Sequence, residues 1–369
     1  MAPAVTDRPA AKGEGARPFL SIIMPCYGVA GFLPQAFRGI QAQTCGDWEL
    51  VCVDDASPDD GAALIERAAA ADPRIRLVRH EVNRGIAGAR TTGLRAARGR
   101  YAWFADADDR FEPDTVESIR SAAERDGEPD VVAFGIVEED IDPAGAVISA
   151  RTVVPPMTGL VAGREVHRGV LALEEATLYG YATTKAYRTA LARDIAFERV
   201  PLIEDFLFNA AVFDRARTVS YIGRALYHYE KRQSGNLTAR FVPEYYEVHR
   251  RRIQTLFDQQ RRWGLDGAET RARLGSLYAR YILSALERNC DPRAGMSHAD
   301  RVAWCRSVMG DDLYRALVPG ARSRGSRALE ACLRVLRTGS PAAWLALGRA
   351  VHAVRGGAKG LYVSLRRGR

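Results

Sequence analysis

The chain has 369 residues, of which 47% are hydrophobic, and it carries a formal net charge of +8. This length and composition predict a globular protein with one large domain of about 225 residues and a helical addition. No apolar run approaches the length that crosses a bilayer, so a polymerase with its own membrane channel is not expected.

The start of the chain and its cysteines indicate the compartment. Residues 1–17 are rich in Ala, Pro, Gly and charge and lack the apolar core of a signal peptide, so we predict a disordered segment and no export. The six cysteines show no Cys-x-x-Cys spacing, which argues against a structural zinc site and for a reducing compartment. We therefore expect a cytoplasmic protein.

From residue 18 onward, strand-like apolar runs alternate with helix-compatible segments. The runs lie at residues 19–24, 48–53, 75–79 and 101–105, with helices at 32–43 and 88–97. This βαβ spacing predicts an α/β fold with a Rossmann-like, mainly parallel sheet flanked by helices.

Two of the predicted strands end in acidic residues. Asp54 and Asp55 follow the second strand, and Asp106, Asp108 and Asp109 follow the fourth. Parallel strands place their carboxyl ends at one edge of a sheet, where carboxylates can bind a divalent cation that already carries phosphates. An Asp-x-Asp triplet alone is also typical of a solvated turn that caps the next helix. Two strands that both end in acids favour a binding site.

Four motifs keep a defined order and spacing: Ser21–Tyr27, Val53–Ser57, Asn83–Arg90 and Phe104–Asp109. Together they resemble the bacterial family 2 glycosyltransferases of the GT-A fold. The resemblance is strong from residue 18 to about 130 and moderate from 179 to 238. It implies a catalytic domain that uses a nucleotide-sugar donor and a Mn²⁺ or Mg²⁺ cofactor.

The resemblance places the donor nucleotide at the ends of the first two strands. Asp55 would accept a hydrogen bond from the nucleobase, with Asp54 nearby. Pro25 and Tyr27 would form the wall beside the base. The residues alone leave open an Asx turn at Asp55 before Pro58, and ordinary loop packing for Tyr27.

Charged residues further along would hold the diphosphate and the metal. Arg90 and Arg232 would contact the diphosphate, the latter as a mobile clamp. Asp108 would bind the metal, Asp106 would lie near the ribose or the metal, and His228 would complete the metal shell. A histidine between two tyrosines of a strand is also typical of a packed, hydrogen-bonded side chain.

The catalytic base is predicted at Glu204-Asp205, which resembles the family's Glu-Asp motif at the start of a helix. Asp205 would take the proton from the acceptor hydroxyl, and Glu204 would support it or face the acceptor. The alternative is structural, because acids are favoured in the first turn of a helix by its dipole. The resemblance implies a single displacement and therefore inversion at the anomeric carbon.

The sequence departs from the family pattern in two places. Thr91 stands where asparagine is usual after the arginine, and the tryptophan common before Lys185 is missing. Because of these departures, the sequence leaves open the detailed donor contacts and especially the identity of the acceptor.

We expect the following division of the chain: a catalytic domain at 18–238 with a donor half at 18–130 and an acceptor half at 131–238, a helical extension at 239–330, and a basic amphipathic tail at 331–369. The helical extension rests on apolar residues that recur at helical spacing from 241 to 318. We assign it to the acceptor side or to a homo-oligomer contact.

The tail accounts for the net charge. After Glu330 there is no acid, and the eight Arg and Lys residues that follow equal the formal charge of +8. Trp344 and Leu347 share one helical face while Arg349 and Arg355 share another, so this helix could lie on anionic lipid or pack its apolar stripe on the protein. Without an aromatic-interleaved basic groove, nucleic acid is not expected as a partner.

The sequence therefore predicts an inverting, metal-dependent transferase that moves a sugar from a UDP-sugar to a hydroxyl of a glycan, glycolipid or lipid-linked acceptor, in the cytoplasm or at the inner face of the membrane. One alternative is a scaffold or partner subunit that binds nucleotides without turnover. Another is a sugar nucleotidyltransferase, but the glycine-rich, basic loop of that class is not visible after the first strand.

Overall fold

The computed structural model describes residues 17–232, 242–323 and 325–357. The chain divides into two compact units, Met1–Ala239 and Arg240–Arg369. Residues 1–16 of the segment that we predicted to be disordered lie outside the described residues, and so do residues 358–369 of the predicted tail.

The first unit begins with four parallel strands. They are β1 (Leu20–Cys26), β2 (Trp48–Asp54), β3 (Ile75–Arg79) and β4 (Tyr101–Phe104), connected by helices α1 (Leu33–Gln41), α2 (Gly61–Ala71) and α3 (Gly85–Ala96). Their order in the sheet is β3-β2-β1-β4. Strands β2 and β4 are buried along their whole length, which explains why they read as nearly continuous apolar runs. The predicted parallel sheet is confirmed.

Strands of both directions extend this sheet. The later elements of the unit are β5 (Arg110–Phe111), α4 (Thr115–Arg125), β6 (Val131–Ile141), β7 (Val147–Val153), β8 (Gly159–Ala162), α5 (Arg164–Glu175), β9 (Lys185–Arg188), α6 (Thr189–Ala192), α7 (Glu204–Phe213) and β10 (Thr218–Arg232). The sheet order continues from β4 as β9-β6-β10-β5. Strand β9 is antiparallel to both β4 and β6, whereas β6 and β10 are parallel.

Strand β10 is longer than its sequence suggests. From the sequence alone, residues 219–222 and 225–229 predict two short strands, but a single strand runs through both segments. Its pairing with β6 shifts register between Tyr221 and Tyr227, so an irregularity of the bulge type lies where the two segments join. Because the strand continues to Arg232, it brings that side chain beside the loop that follows β4.

The second unit is helical in its described part, so the predicted helical extension is confirmed. Its helices are α8 (Tyr245–Arg262), α9 (Ala268–Asn289), α10 (His298–Gly310), α11 (Asp312–Leu317), α12 (Arg327–Leu336) and α13 (Pro341–Gly357), with a short 3-10 helix at Pro292–Ala294. Leu274, Tyr278 and Ile282 lie on one face of α9 and are fully buried. This face is the centre of the unit's core.

The described part of the predicted tail is packed within the second unit. Trp344 of α13 is fully buried, and its indole Nε1 donates to the carbonyl oxygen of Leu336 at 3.0 Å. A Cβ at Gly348 would lie only 3.0 Å from the carbonyl oxygen of Leu286, so α13 and α9 approach closely. These contacts favour the packing interpretation of the apolar stripe. Among the residues described, no helix is both long and apolar enough to span a membrane.

Gly93 marks the contact of α3 with the sheet and gives a stability prediction. A Cβ there would lie 2.3 Å from Cγ2 of Ile23 and 3.2 Å from Cγ2 of Val53. Alanine is favoured over glycine in a helix by about 1 kcal/mol, but overpacking a core costs about 1–3 kcal/mol. Because Ile23 is β-branched and fully buried, we expect the clash to dominate. Gly93→Ala should lower the free energy of unfolding in urea by about 1–2 kcal/mol.

Gly39→Ala in α1 is the matched control for this prediction. The nearest atom to a Cβ at Gly39 is Cε2 of Phe111 at 3.9 Å, which is ordinary van der Waals contact. This variant should be as stable as the wild type or more so. A Gly93→Ala protein that unfolds at the wild-type urea concentration would contradict the close contact.

Candidate active site

The carboxyl ends of the parallel strands bring polar side chains to one edge of the sheet. Cys26 pairs in register with Asp54, and the N–H of Asp55 donates to the carbonyl oxygen of Cys26 at 2.9 Å. Pro25 is half-buried, and Tyr27 is 53% exposed. The structure thus brings the four residues expected to surround the nucleobase into one place, with an exposed aromatic face beside two carboxylates.

The two carboxylates after β2 have different partners. Oδ1 of Asp55 accepts from Nδ1 of His80 at 2.6 Å and from the N–H of Arg84 at 2.8 Å. Oδ1 of Asp54 accepts from the N–H of Ser57 at 3.2 Å, which is an Asx-type turn. The turn that the sequence left open for Asp55 is therefore formed by Asp54. His80, which sequence reasoning did not single out, directly follows β3 at the same edge.

Arg90 of α3 lies at the centre of the site. Its side chain is 3% exposed. Nη2 donates to both carboxylate oxygens of Asp106 at 2.9 and 3.0 Å, and Nη1 donates to Oδ1 of Asp205. Burial opposes the charge of the guanidinium, but the carboxylates of Asp106, Asp205 and Glu204 outweigh burial and raise the pKa of Arg90. We expected Arg90 to contact a diphosphate, yet in this structure the protein's own carboxylates occupy it.

Asp205 lies in the first turn of α7 but does not cap that helix. Its Oδ1 is bonded to Arg90, and its Oδ2 accepts from the N–H of Ala182 at 3.1 Å. The helix-start explanation accounts for neither contact. Burial raises the pKa of Asp205, although the charge of Arg90 opposes this shift. Burial and the charge of Asp205 raise the pKa of Glu204. A raised pKa makes a carboxylate a stronger proton acceptor than an ordinary one.

Lys185 holds the segment that contacts Asp205. Its ammonium donates to the carbonyl oxygens of Leu178 at 2.7 Å and Tyr181 at 2.6 Å, and the residue is 1% exposed. Burial lowers the pKa of Lys185 to about 7. The side chain therefore braces the turn whose next residue, Ala182, donates its N–H to the carboxylate of Asp205.

Asp109 ties the loop after β4 to strand β10. Its Oδ2 accepts from the hydroxyl of Tyr227 at 2.6 Å, and its Oδ1 accepts from the N–H of Glu230 at 3.0 Å. The same hydroxyl accepts from the N–H of Asp106 at 3.1 Å. Asp109 thus orients the loop, while the carboxylates of Asp106 and Asp108 remain 26% and 42% exposed.

Arg232 reaches the same loop from the end of β10. Its Nη1 donates to the carbonyl oxygen of Asp108 at 2.9 Å and lies 3.6 Å from Oδ2 of that residue. Its Nη2 donates to Glu230. Loss of hydration and then the neighbouring charge of Asp106 raise the pKa of Asp108. The structure therefore brings the expected clamp residue to the expected metal ligand.

His228 is not brought to this loop. Its Nδ1 lies 3.2 Å from Oε1 of Glu139, and its Nε2 lies 2.9 Å from Oε1 of Glu112. Successive side chains of a strand point to opposite faces, so the contact of Tyr227 with Asp109 turns His228 away from Asp108. The packed, hydrogen-bonded interpretation describes this histidine, and we do not include it among the metal ligands proposed below.

Asp106 and Asp108 have the donor atoms for a divalent cation. Within the described ranges, no three His, Cys, Asp or Glu side chains are grouped to bind a metal. Mg²⁺ is commonly held by only one or two carboxylates together with substrate phosphates. The exposed carboxylate of Asp108, at the edge of the sheet where phosphates would bind, fits that kind of site.

Comparisons with known proteins agree with this architecture. The family model described as "Glycosyl transferase family 2" matches residues 21–164. The uncharacterized glycosyltransferase EpsJ of Bacillus subtilis is 30% identical over 259 residues, which cover 68% of this chain and 72% of EpsJ. WfgD of Escherichia coli, a UDP-Glc:alpha-D-GlcNAc-diphosphoundecaprenol beta-1,3-glucosyltransferase, is 40% identical over 91 residues, which cover 24% of this chain and 35% of WfgD.

A solved structure extends the likeness to most of the chain. The structure of S. aureus TarS 1-349 in complex with UDP-GlcNAc matches with a TM-score of 0.59 at 20% identity, over 92% of this chain and 92% of that one. At this identity the likeness is one of fold. It confirms the predicted GT-A type of fold.

Proposed function

The chain belongs to glycosyltransferase family 2, and we propose that it transfers a sugar from a UDP-sugar to a hydroxyl group of a cell-envelope glycan, glycolipid or related acceptor, with inversion at the anomeric carbon. The observation that carries this proposal is the bridge formed by Arg90. One guanidinium contacts both Asp106, in the acidic loop after β4, and Asp205, at the start of α7. Donor phosphates and acceptor hydroxyl would therefore meet at adjacent carboxylates.

The carboxylate of Asp55 supports a nucleotide-sugar donor whose nucleobase presents a ring N–H. An ionised carboxylate only accepts hydrogen bonds, so its partner on the base must be a donor such as N3–H of uracil. The similarity to WfgD, whose donor is UDP-Glc and whose acceptor is a GlcNAc-diphosphoundecaprenol, supports UDP and an acceptor of the envelope type. We place the donor half at 18–130 and the acceptor half at 131–238.

Asp205 acts as the general base of the proposed reaction. One of its oxygens takes the proton of the acceptor hydroxyl while the hydroxyl oxygen attacks the anomeric carbon, and the bond from that carbon to the diphosphate breaks on the opposite side. Arg90 and the N–H of Ala182 keep the carboxylate in place. A bound Mn²⁺ or Mg²⁺, held by Asp108 and Asp106, would neutralise charge on the departing diphosphate.

Calorimetric titration of UDP, GDP, CDP and dTDP, each with and without Mn²⁺, tests the donor site. We expect wild-type protein to bind UDP in the presence of Mn²⁺, and Asp108→Ala to lose at least tenfold in that affinity. The control is Asp312→Ala, because the Asp312 side chain is 100% exposed in the second unit. Folded wild-type protein that binds none of the four nucleotides would overturn the donor assignment.

Turnover separates the enzyme from a nucleotide-binding scaffold. With a UDP-sugar and an envelope-type acceptor, the proposed enzyme releases UDP and forms a glycoside of inverted anomeric configuration. Release of pyrophosphate, or retention of configuration, would contradict the reaction proposed here.

A further inference from the structure

His80 is a buried histidine that the proposed mechanism does not use. Its side chain is 0% exposed. Nδ1 lies 2.6 Å from Oδ1 of Asp55, and Nε2 lies 2.9 Å from the hydroxyl of Thr92 on α3. The backbone N–H of His80 also donates to the carbonyl oxygen of Asp54 at 2.9 Å. Both ring nitrogens and the main chain are therefore engaged at the nucleobase end of the site.

Hydrogen-bond chemistry assigns the direction of these contacts. Oδ1 of Asp55 is an acceptor, so Nδ1 of His80 must carry the proton. In the neutral ring, Nε2 is then an acceptor, and the hydroxyl of Thr92 donates to it. With the N–H of Arg84 also donating at 2.8 Å, Oδ1 receives two hydrogen bonds. Oδ2 of Asp55 receives none from the described residues.

We propose that His80 is a positioning residue that sets the nucleobase selectivity of the donor site. By holding Oδ1 of Asp55, it orients the carboxylate so that Oδ2 accepts from the ring N–H of the base. Uracil and thymine carry such an N–H at N3, whereas the corresponding nitrogen of cytosine is an acceptor that the carboxylate repels. This inference rests on the proposed function, since it assumes that a nucleotide binds beside Asp55.

Substituting His80 by asparagine or by glutamine tests the two contacts of the imidazole ring separately. The amide nitrogen of Asn at position 80 can replace Nδ1 as donor to Asp55, whereas the amide of Gln reaches toward the position of Nε2 and leaves Oδ1 without that donor. His80→Asn is therefore the matched control for His80→Gln. The probes are UDP and N3-methyl-UDP, which lacks the ring N–H but is otherwise the same ligand.

The test is calorimetric titration of both probes in Mn²⁺ with steady-state kinetics on the UDP-sugar. We expect His80→Gln to lose about tenfold in UDP affinity, with less than a twofold change for N3-methyl-UDP. Its donor KM should rise about tenfold at unchanged kcat, while His80→Asn stays within threefold of wild type. Equal loss for both probes, or wild-type selectivity in His80→Gln, would overturn the proposed role.

The outcomes distinguish this inference from the function on which it rests. Wild-type protein that binds no UDP would overturn the donor site itself, and the role of His80 with it. Wild-type protein that binds UDP, together with unchanged selectivity in His80→Gln, would overturn only the role of His80. If His80→Gln does not fold, Thr92→Val removes the hydroxyl that fixes Nε2 at nearly constant volume. That variant should lose two- to threefold in UDP affinity but not in N3-methyl-UDP affinity, and equal losses would overturn the proposal.

Discussion

Asp205→Asn should lower kcat by about 10²–10⁴-fold, the range typical of general-base catalysis. The amide keeps one acceptor oxygen, which can still accept from Arg90, but its NH2 group cannot accept from the N–H of Ala182, so only part of the geometry of the site should survive. The asparagine side chain has no basic oxygen. It cannot take a proton from the acceptor hydroxyl, and donor binding does not require that step. We therefore expect the donor KM to stay within a few-fold of wild type.

The pH dependence of the rate gives this prediction a second readout. Burial raises the pKa of Asp205, and the base is active only when it is ionised. The wild-type rate should therefore fall as the pH is lowered, beginning above the range of an ordinary aspartate, and the residual rate of Asp205→Asn should lack that fall. Asp194→Asn, at an exposed position outside the site, is the control. A wild-type kcat in Asp205→Asn would exclude Asp205 as the base.

Arg90→Gln should lower the free energy of unfolding by about 3 kcal/mol, near the lower end of the range for breaking a buried ion pair. The lower end applies because Asp106 and Asp205 keep 26% and 18% exposure, so water partly hydrates them. The variant should also lose activity, because the two carboxylates repel each other once the cation between them is gone. Urea denaturation and turnover measure the two effects.

Arg90→Lys is the matched control for charge. Lysine keeps the positive charge but lacks the planar fork that spans both carboxylates, so its stability should fall between those of the wild type and Arg90→Gln. The stability loss of Arg90→Gln should shrink at low pH, where protonation of Asp205 removes the repulsion. An Arg90→Gln protein with wild-type stability at neutral pH would contradict the buried bridge.

The parallel half of the sheet could be predicted from sequence because local signals define it. Apolar runs of strand length alternate with helical segments, and the acids that end β2 and β4 mark the edge where the site lies. Neither signal could show which carboxylates would form ion pairs with Arg90. Its partner Asp205 is 115 residues away in the chain, and only the folded sheet brings α3 and α7 together.

His228 and His80 show the same limit on a smaller scale. Which face of β10 His228 takes is decided by its neighbour Tyr227, whose hydroxyl bonds Asp109 from a distant loop. The spacing of residues in the sequence does not predict that contact. His80 had a usable signal, since it follows β3 at the edge where the other parallel strands present polar residues. Its partner on α3, Thr92, could be identified only from the structure.

Three consecutive residues of α3 reach three parts of the site. Arg90 contacts Asp106 and Asp205, the hydroxyl of Thr91 accepts from the N–H of Phe197 at 2.9 Å, and Thr92 contacts the ring of His80. One helical turn, which lies against β1 at Gly93, therefore links His80, beside Asp55, to Asp205. Because helix geometry fixes the spacing of its residues, such a turn also fixes the distance between the Asp55 end and the Asp205 end of the candidate site. Donors shorter by one phosphate, such as nucleoside monophosphate sugars, should be unable to satisfy both ends at once.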